Sequence, residues 1–241
     1  MWLVLAETGD EAAVWAAEGL AQRGVRPVRV VSGQELATGT VWDHRVEGCG
    51  VRTRLRFSDG VEVDDAELRG VVNRLGGFYL PLGGSSGDGE YAACEWNALV
   101  LSWLVSLRCP VLNRPSPVGG LGGYRSVGEW RHLAHRAGLR ILPLTQSDVS
   151  ESAEGGCGGD VDRQQTVFVV AGHTVADCDG GGDEVTEAGC ARLSWLVGEV
   201  VLAVQFSCLP GQGPVFCCAT QQGDLRLGGS PLLDLLTGRL T

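Results

Sequence analysis

The sequence contains no lysine, and each of its 19 basic residues is an arginine. Chemistry that depends on a lysine, such as Schiff-base formation or a lysine on a phosphate group, is therefore excluded. Clusters of basic residues are also missing, and the formal net charge is -10. Because nucleic acids and anionic membrane surfaces are polyanions, nonspecific binding to either is disfavoured.

Long hydrophobic segments are missing as well. The longest apolar stretch, Leu99–Leu107, has about half the length needed to cross a bilayer. The N-terminal residues reach an acid at Glu7 without a basic region before it, which is typical of a strand and not of a signal peptide. We therefore expect a cytoplasmic protein.

The nine cysteines are odd in number and include no CxxC pair. In a sequence without a secretion signal, this argues against a disulfide framework. Several of them, such as Cys109, Cys208 and Cys217, lie in apolar surroundings and are expected to behave as small buried hydrophobic residues.

What is present is the composition of a globular protein, with 44% hydrophobic and 20% charged residues in a chain of 241. A strand at Trp2–Ala6, helical spacing of apolar residues over 12–21 and a strand at Val28–Val31 form a β-α-β unit. This order favours a parallel sheet with helices packed on it.

The next segment changes to a period of two. Apolar residues and arginines alternate over Val51–Phe57, and a turn follows at Asp59-Gly60, which predicts a hairpin with one solvated face. The sequence from Glu90 to Leu107 predicts a long helix that is apolar nearly all round, either because it is fully buried or because part of it forms a subunit interface. Further predicted strands in this half are Gly70–Leu75 and Cys109–Asn113.

The second half begins with a capping box. Ser126 and Glu129 predict the start of a helix over Val127–Ala137. Residues 147–165 are rich in Ser, Gly, Asp and Glu without periodicity and predict a flexible linker. The remaining predicted elements are strands at Thr166–Ala171, Val200–Cys208 and Val215–Ala219 and helices at Thr186–Gly198 and Pro231–Leu240.

The order of these segments resembles the ATP-grasp superfamily, in particular its glutamate-ligase type, which includes ligases that modify ribosomally made peptides. The first half resembles the pre-ATP-grasp lobe in its opening β-α-β unit, the Asp59-Gly60 hairpin, and the segments Val71–Leu75, Glu90-Tyr91 and Cys109–Pro115. The last third resembles the end of an ATP-grasp domain in Arg192–Leu196, Val201–Phe206 and Val215–Thr220.

This resemblance implies an α/β protein with two lobes. Residues 1–146 would form a pre-ATP-grasp-like lobe with a parallel or mixed sheet flanked by helices. Residues 147–165 would be the linker, and residues 166–241 a smaller, truncated ATP-grasp-like α+β lobe.

The sequence departs from the family where the resemblance implies catalytic groups. Phosphoryl transfer by these enzymes needs lysines on the nucleotide phosphates and magnesium ligands, because the charge of the phosphates must be neutralised. Gln205 stands where an acid is expected, and Phe216–Thr220 lacks the expected Glu-x-Asn. The lobe that would cover ATP is reduced to the segment around 147–165. No catalytic residue, cofactor or metal is predicted on this interpretation.

Five polar residues are candidates for ligand binding. Ligands of parallel sheets bind at the carboxyl ends of the strands, and the arginines there could pair with a carboxylate or a phosphate. Alternatively, the arginines hold loops together through carboxylates of the same chain. The candidates are Asn73 and Arg74, Asn113 and Arg114, and, in a later glycine-bounded loop, Arg226, for which a contact with Asp224 is the alternative.

A helical Glu129-x-x-His132-x-x-His135 pattern has spacing that can hold a transition metal, but an exposed polar helix face accounts for it equally well. The sequence therefore predicts no metal site.

The predicted function is that of a non-catalytic ATP-grasp-like protein that binds a peptide or a protein partner or acts as a scaffold, with the modification of a ribosomally made peptide implied by the family alone. One alternative is an active ATP-dependent carboxylate-amine ligase that holds ATP and Mg²⁺ with arginines. A second alternative is a structural subunit of a homo-oligomer.

Overall fold

The computed structural model describes residues 1–48, 50–77, 87–117, 119–121, 125–142, 163–177, 183–198, 201–208 and 213–240. Its contacts divide the chain into two compact units. The first unit consists of Met1–Tyr124 and Leu236–Thr241, and the second of Arg125–Leu235. Most of the predicted linker 147–165 lies outside the described residues, but its last three residues, 163–165, begin a strand instead, and the predicted domain boundaries stay a prediction.

The first unit contains a parallel sheet, a smaller antiparallel sheet and helices. Its elements are β1 (Trp2–Ala6), α1 (Glu11–Gln22), β2 (Val28–Ser32), α2 (Gly33–Thr38), β3 (Thr40–Glu47), β4 (Gly50–Phe57), β5 (Glu62–Asp64), a 3-10 turn (Asp65–Glu67), β6 (Gly70–Asn73), α3 (Gly87–Ser106) and β7 (Val111–Leu112).

The parallel sheet has the strand order β2-β1-β6-β7 and is built on the predicted β-α-β unit. All five residues of β1 are buried, which explains why its sequence is apolar on both faces. Asp10 begins α1 by accepting a hydrogen bond from the Ala13 amide. A Cβ atom at Gly70 would lie 2.4 Å from the Trp2 ring, so the register of β6 against β1 requires glycine there.

The antiparallel sheet has the order β3-β4-β5. The predicted hairpin is β4 and β5, and its arginine face is exposed as expected. The sequence analysis missed β3, which pairs with β4 from Thr40 opposite Phe57 to Glu47 opposite Gly50. The sequence of β3 does not alternate regularly between apolar and polar residues. Polar His44 lies on the face that packs against α3, whereas apolar Val41 lies on the solvated face.

Helix α3 is buried on one side only. Trp96, Val100 and Trp103 belong to the hydrophobic core of this unit, whereas Tyr91 is 68% and Val105 50% exposed. Of the two predicted alternatives, full burial is therefore wrong, because the sheets cover a single face of α3, and a subunit interface on its exposed part stays a prediction.

The second unit is a four-stranded antiparallel sheet with the order β11-β10-β8-β9. Helices of this unit cover one face of the sheet, and their buried residues form a single core with it. The sequence analysis missed β9, a four-residue strand. The elements are α4 (Val127–Arg136), β8 (Arg163–Val170), β9 (His173–Ala176), α5 (Glu184–Val197), β10 (Val201–Cys208), β11 (Pro214–Thr220), a 3-10 turn (Leu225–Gly228) and α6 (Gly229–Leu240), which ends in the first unit.

The fold class is therefore α/β, as predicted, with one parallel sheet and two antiparallel sheets. None of the helices among the described residues has the length and apolar character needed to span a membrane.

Candidate functional site

The carboxyl ends of β6 and β7 meet at one edge of the parallel sheet. Asn73, at the end of β6, is fully buried and donates hydrogen bonds from Nδ2 to the carbonyls of Asn113 at 2.9 Å and Gly120 at 2.6 Å. Its Oδ1 accepts a bond from the Leu75 amide at 3.2 Å. Asn113 has a φ of 56°, a conformation that asparagine tolerates better than most residues. The structure thus brings Asn73 and Asn113 together, and the Asn73 side chain holds the loop after β7.

Arg74 is buried beside a carboxylate. Its guanidinium donates to both carboxylate oxygens of Asp10 at 2.8 and 3.2 Å, and its side chain is only 5% exposed. Asp10 also begins α1, so one carboxylate fixes the helix and neutralises the arginine. Sequence reasoning proposed such an internal partner without identifying Asp10.

Arg114 contacts the end of α3. Its guanidinium donates to the carbonyls of Leu104 at 2.9 Å, Val105 at 2.8 Å, Leu107 at 3.2 Å and Cys109 at 3.4 Å. The last carbonyls of a helix have no partner within the helix, and a cation also suits the negative end of its dipole. Arg114 therefore caps α3.

Arg226 lies in the second unit, in the 3-10 turn before α6. It is partly exposed and contacts Asp224, with Nη2 at 2.8 Å from Oδ2. This is the contact that the sequence analysis gave as the alternative to ligand binding. Asp224 also accepts a bond from the Arg226 amide, so the pair shapes the turn.

Gln205 and Cys218 are paired across β10 and β11 of the second sheet, on the face away from its helical core. The Cys218 thiol donates to Gln205 Oε1 at 3.0 Å. A β-bulge follows directly, because Phe206 pairs with Phe216 and Cys217 is the extra residue of β11. The bulge was not predicted, and it explains why Cys217 and Cys218 are both only partly buried.

Glu129 on α4 is occupied by the capping box. Its Oε2 accepts bonds from the Ser126 amide at 2.7 Å and hydroxyl at 2.8 Å, and these bonds lower the pKa of the carboxyl. His132 and His135 lie exposed on the same helix. Within the part of the chain that the structure describes, no group of three His, Cys, Asp or Glu side chains is placed to hold a metal ion.

Comparison with known proteins identifies solved structures that share this fold. Neither the family models nor the curated proteins compared with the sequence match it. The macrocyclase MdnB from Microcystis aeruginosa MRC is 15% identical with a TM-score of 0.69, and the alignment covers 99% of this chain and 98% of that one. MdnC from the same organism, bound to the precursor peptide MdnA, is 14% identical with a TM-score of 0.71 and the same coverage. A RiPP-associated ATP-grasp ligase from Chryseobacterium gregarium, in complex with ADP and a leader and core peptide, is 12% identical with a TM-score of 0.71, covering 99% and 96%.

The chain therefore has the fold of the ATP-grasp superfamily, as the sequence predicted. At these identities the likeness concerns the fold, and the chemistry depends on the residues present.

Those residues do not fit Mg-ATP. Mg²⁺ prefers charged oxygen ligands in octahedral geometry. At the positions where the resemblance implies such ligands, this chain has the neutral amide of Gln205 and a strand, Pro214–Thr220, that contains two cysteines and no acid. The Gln205 oxygen accepts a bond from a thiol, and the sequence has no lysine to meet the phosphates.

Proposed function

We propose that this protein is a non-catalytic ATP-grasp-like protein that binds a peptide or a partner protein during the modification of a ribosomally made peptide. The observation that carries the proposal is the Gln205–Cys218 pair, which stands where the resemblance implies magnesium ligands. The peptide part is supported by two structural neighbours, which are bound to a precursor peptide and to a leader and core peptide.

The three candidate arginines offer little compensation for the missing lysines. Arg74 contacts a carboxylate at 2.8 Å, Arg114 donates to four carbonyls, and Arg226 contacts Asp224. Recruiting any of them to a phosphate would cost the contact that each makes in the fold. We keep Asn73, Arg74, Asn113, Arg114 and Arg226 as a proposed ligand set. Arg226 is the member best placed for it, because its side chain is 46% exposed.

The proposal includes two lobes joined by a linker over 147–162, since residues 163–165 of the predicted linker belong to β8, and a cytoplasmic location. It also includes the reduction of the ATP-covering lobe to that linker, which would remove groups that cover the nucleotide in an active ligase.

The first experiment is calorimetry of the purified, tag-free protein with ATP and Mg²⁺. We expect no binding at millimolar nucleotide, because the phosphates would meet neither lysine nor magnesium ligands. An active ATP-grasp ligase titrated in the same buffer is the positive control. Micromolar binding whose heat disappears on chelation would overturn the proposal and support the alternative, an active carboxylate-amine ligase.

The peptide part has a separate test. Affinity purification of the intact protein from cells, followed by mass spectrometry, should recover a peptide or a peptide-modifying enzyme. Arg226→Gln is the informative variant, and Arg239→Gln, at an exposed position of α6, is its control. Recovery of neither a peptide nor a modifying enzyme would count against the assignment.

A further inference from the structure

Strand β3 forms one edge of the antiparallel sheet. Among the described residues it pairs only with β4, and it is eight residues long. Its solvated face is open, since Val41 is 59% exposed and the side chains of Asp43 and Arg45 are 52% and 67% exposed. Val46, near its end, is 69% exposed although it lies on the opposite face.

The two edges of this sheet differ. The opposite edge is β5, which has three residues, two of them acidic. Short, charged edges resist pairing with another strand, whereas a long edge presents a row of backbone donors and acceptors. Strand β3 is therefore the edge of this sheet that is suited to accept another strand.

Two antiparallel copies of β3 are complementary in charge and in the position of their apolar side chains. A two-fold axis perpendicular to the sheet makes two copies of β3 antiparallel and keeps each residue on its own face. With residue 44 on the axis, Asp43 of each copy lies opposite Arg45 of the other, and Trp42 lies opposite Val46. This register pairs residues 41–47, almost the whole strand.

The neighbouring registers are worse. With residue 43 on the axis, Asp43 would face its own copy, and with residue 45 on the axis, Arg45 would do so. Like charges directly opposite each other destabilise a strand pair. With residue 46 on the axis, Arg45 would face Glu47, but only residues 45–47 of the strands would overlap.

We propose that β3 pairs with β3 of a second copy of this chain, antiparallel and with residue 44 on the two-fold axis, so that the two three-stranded sheets become one. Within one chain Arg45 already contacts Asp43, at 2.9 and 3.1 Å. In the dimer the two pairs combine into four alternating charges around the axis. On the inner face, exposed Val46 gains contact with Trp42, which packs edge-on against Trp96 and Trp103.

This self-complementarity favours a second copy over an unrelated extended peptide. A foreign strand would satisfy the backbone of β3 equally well, but nothing in β3 would specify its sequence. The inference goes beyond the proposed function, because it concerns assembly and needs neither nucleotide nor peptide.

Sedimentation of the intact protein over roughly 1–100 μM tests the proposal, because an interface of this modest size should dissociate on dilution. We expect the wild-type protein to dimerise. Asp43→Arg and Arg45→Asp should each raise the dissociation constant about tenfold or more, because each places two like-charge pairs across the axis.

Mixing the two variants is the decisive measurement. In the mixed dimer a guanidinium at position 43 faces a carboxylate at position 45 of the other chain, and the second pair is matched as well, so a one-to-one dimer should form. The control is Arg136→Asp, the same charge reversal at an exposed position of α4, which is not part of this sheet, and it should leave dimerisation unchanged. Circular dichroism checks that each variant is folded.

Four results would overturn the proposal: a monomeric wild-type protein, single variants that dimerise normally, a mixture that stays monomeric, or a control that loses the dimer. A monomer that instead binds an extended peptide along β3 would also overturn it.

Discussion

At the scale of single residues, the polar groups at the end of the parallel sheet are held by contacts within the chain. Arg74 illustrates this, because its guanidinium is buried and its partner, Asp10, is 64 positions away in sequence. A buried charge is tolerated when it is paired and hydrogen-bonded, and removing one partner leaves the other uncompensated.

We therefore expect Asp10→Asn to destabilise the chain by about 3 kcal/mol. Asparagine is as good an N-cap as aspartate, so the variant keeps the start of α1 and removes only the charge. The measurement is denaturant unfolding of the intact protein. Arg226→Gln, which breaks the exposed pair with Asp224, is the matched control and should cost no more than about 1 kcal/mol. A loss of similar size in both variants would refute the importance of burial at Arg74.

The candidate site shows what a sequence can predict at this scale. The carboxyl ends of neighbouring parallel strands meet, so proximity of Asn73 and Asn113 follows from the strand pattern alone. The partners of the arginines do not follow, because Asp10 and the carbonyls at the end of α3 become neighbours only through tertiary packing. A ligand role for these residues stays a prediction.

At the scale of elements, the spacing of apolar residues was sufficient to predict those strands and helices that follow one consistent pattern. The β-α-β unit, the β4–β5 hairpin and the α4 capping box are present as predicted. Strand β3 was missed because His44 replaces an apolar residue on its inner face. The sequence left open whether α3 is fully buried, because its composition does not reveal which face the sheets cover.

His44 connects two elements, and its environment predicts a pH dependence. One ring nitrogen lies 2.8 Å from Thr53 Oγ1 on β4, and the other lies 3.0 Å from Ser102 Oγ on α3. Burial lowers the pKa of His44, although the nearby Asp65 carboxylate opposes this shift. The unfolded chain therefore takes up a proton first as the pH falls.

The resulting stabilisation is complete above the unfolded pKa of about 6.5 and is lost as the pH falls through that value toward the lower folded pKa. We expect His44→Gln to lose less stability than the wild-type protein between about pH 7.5 and about pH 5.5. Unfolding is measured at a concentration where the chain is monomeric. His135→Gln, at an exposed position of α4, should retain the wild-type pH dependence, and identical behaviour of both variants would contradict the assignment.

At the scale of the whole molecule, the last helix limits how the chain can be divided. Helix α6 begins in the second unit, but Leu236–Thr241 is grouped with the first. Leu236 and Leu240 are 1% and 4% exposed, and Leu240 lies close to Gly70 on β6. A lobe made of residues 1–146 alone would lack these two side chains.

The chain should therefore lose stability in its N-terminal sheet when its last helix is changed. Replacing a buried leucine by alanine costs about 2–5 kcal/mol, so Leu236→Ala combined with Leu240→Ala should sharply reduce the hydrogen-exchange protection of β1. Gly238→Ala is the control, because the added Cβ meets no atom within 4 Å and alanine favours a helix. If the double variant left β1 as protected as in the control, the end of α6 would not belong to the core of the first unit, and residues 1–146 could fold as an independent lobe.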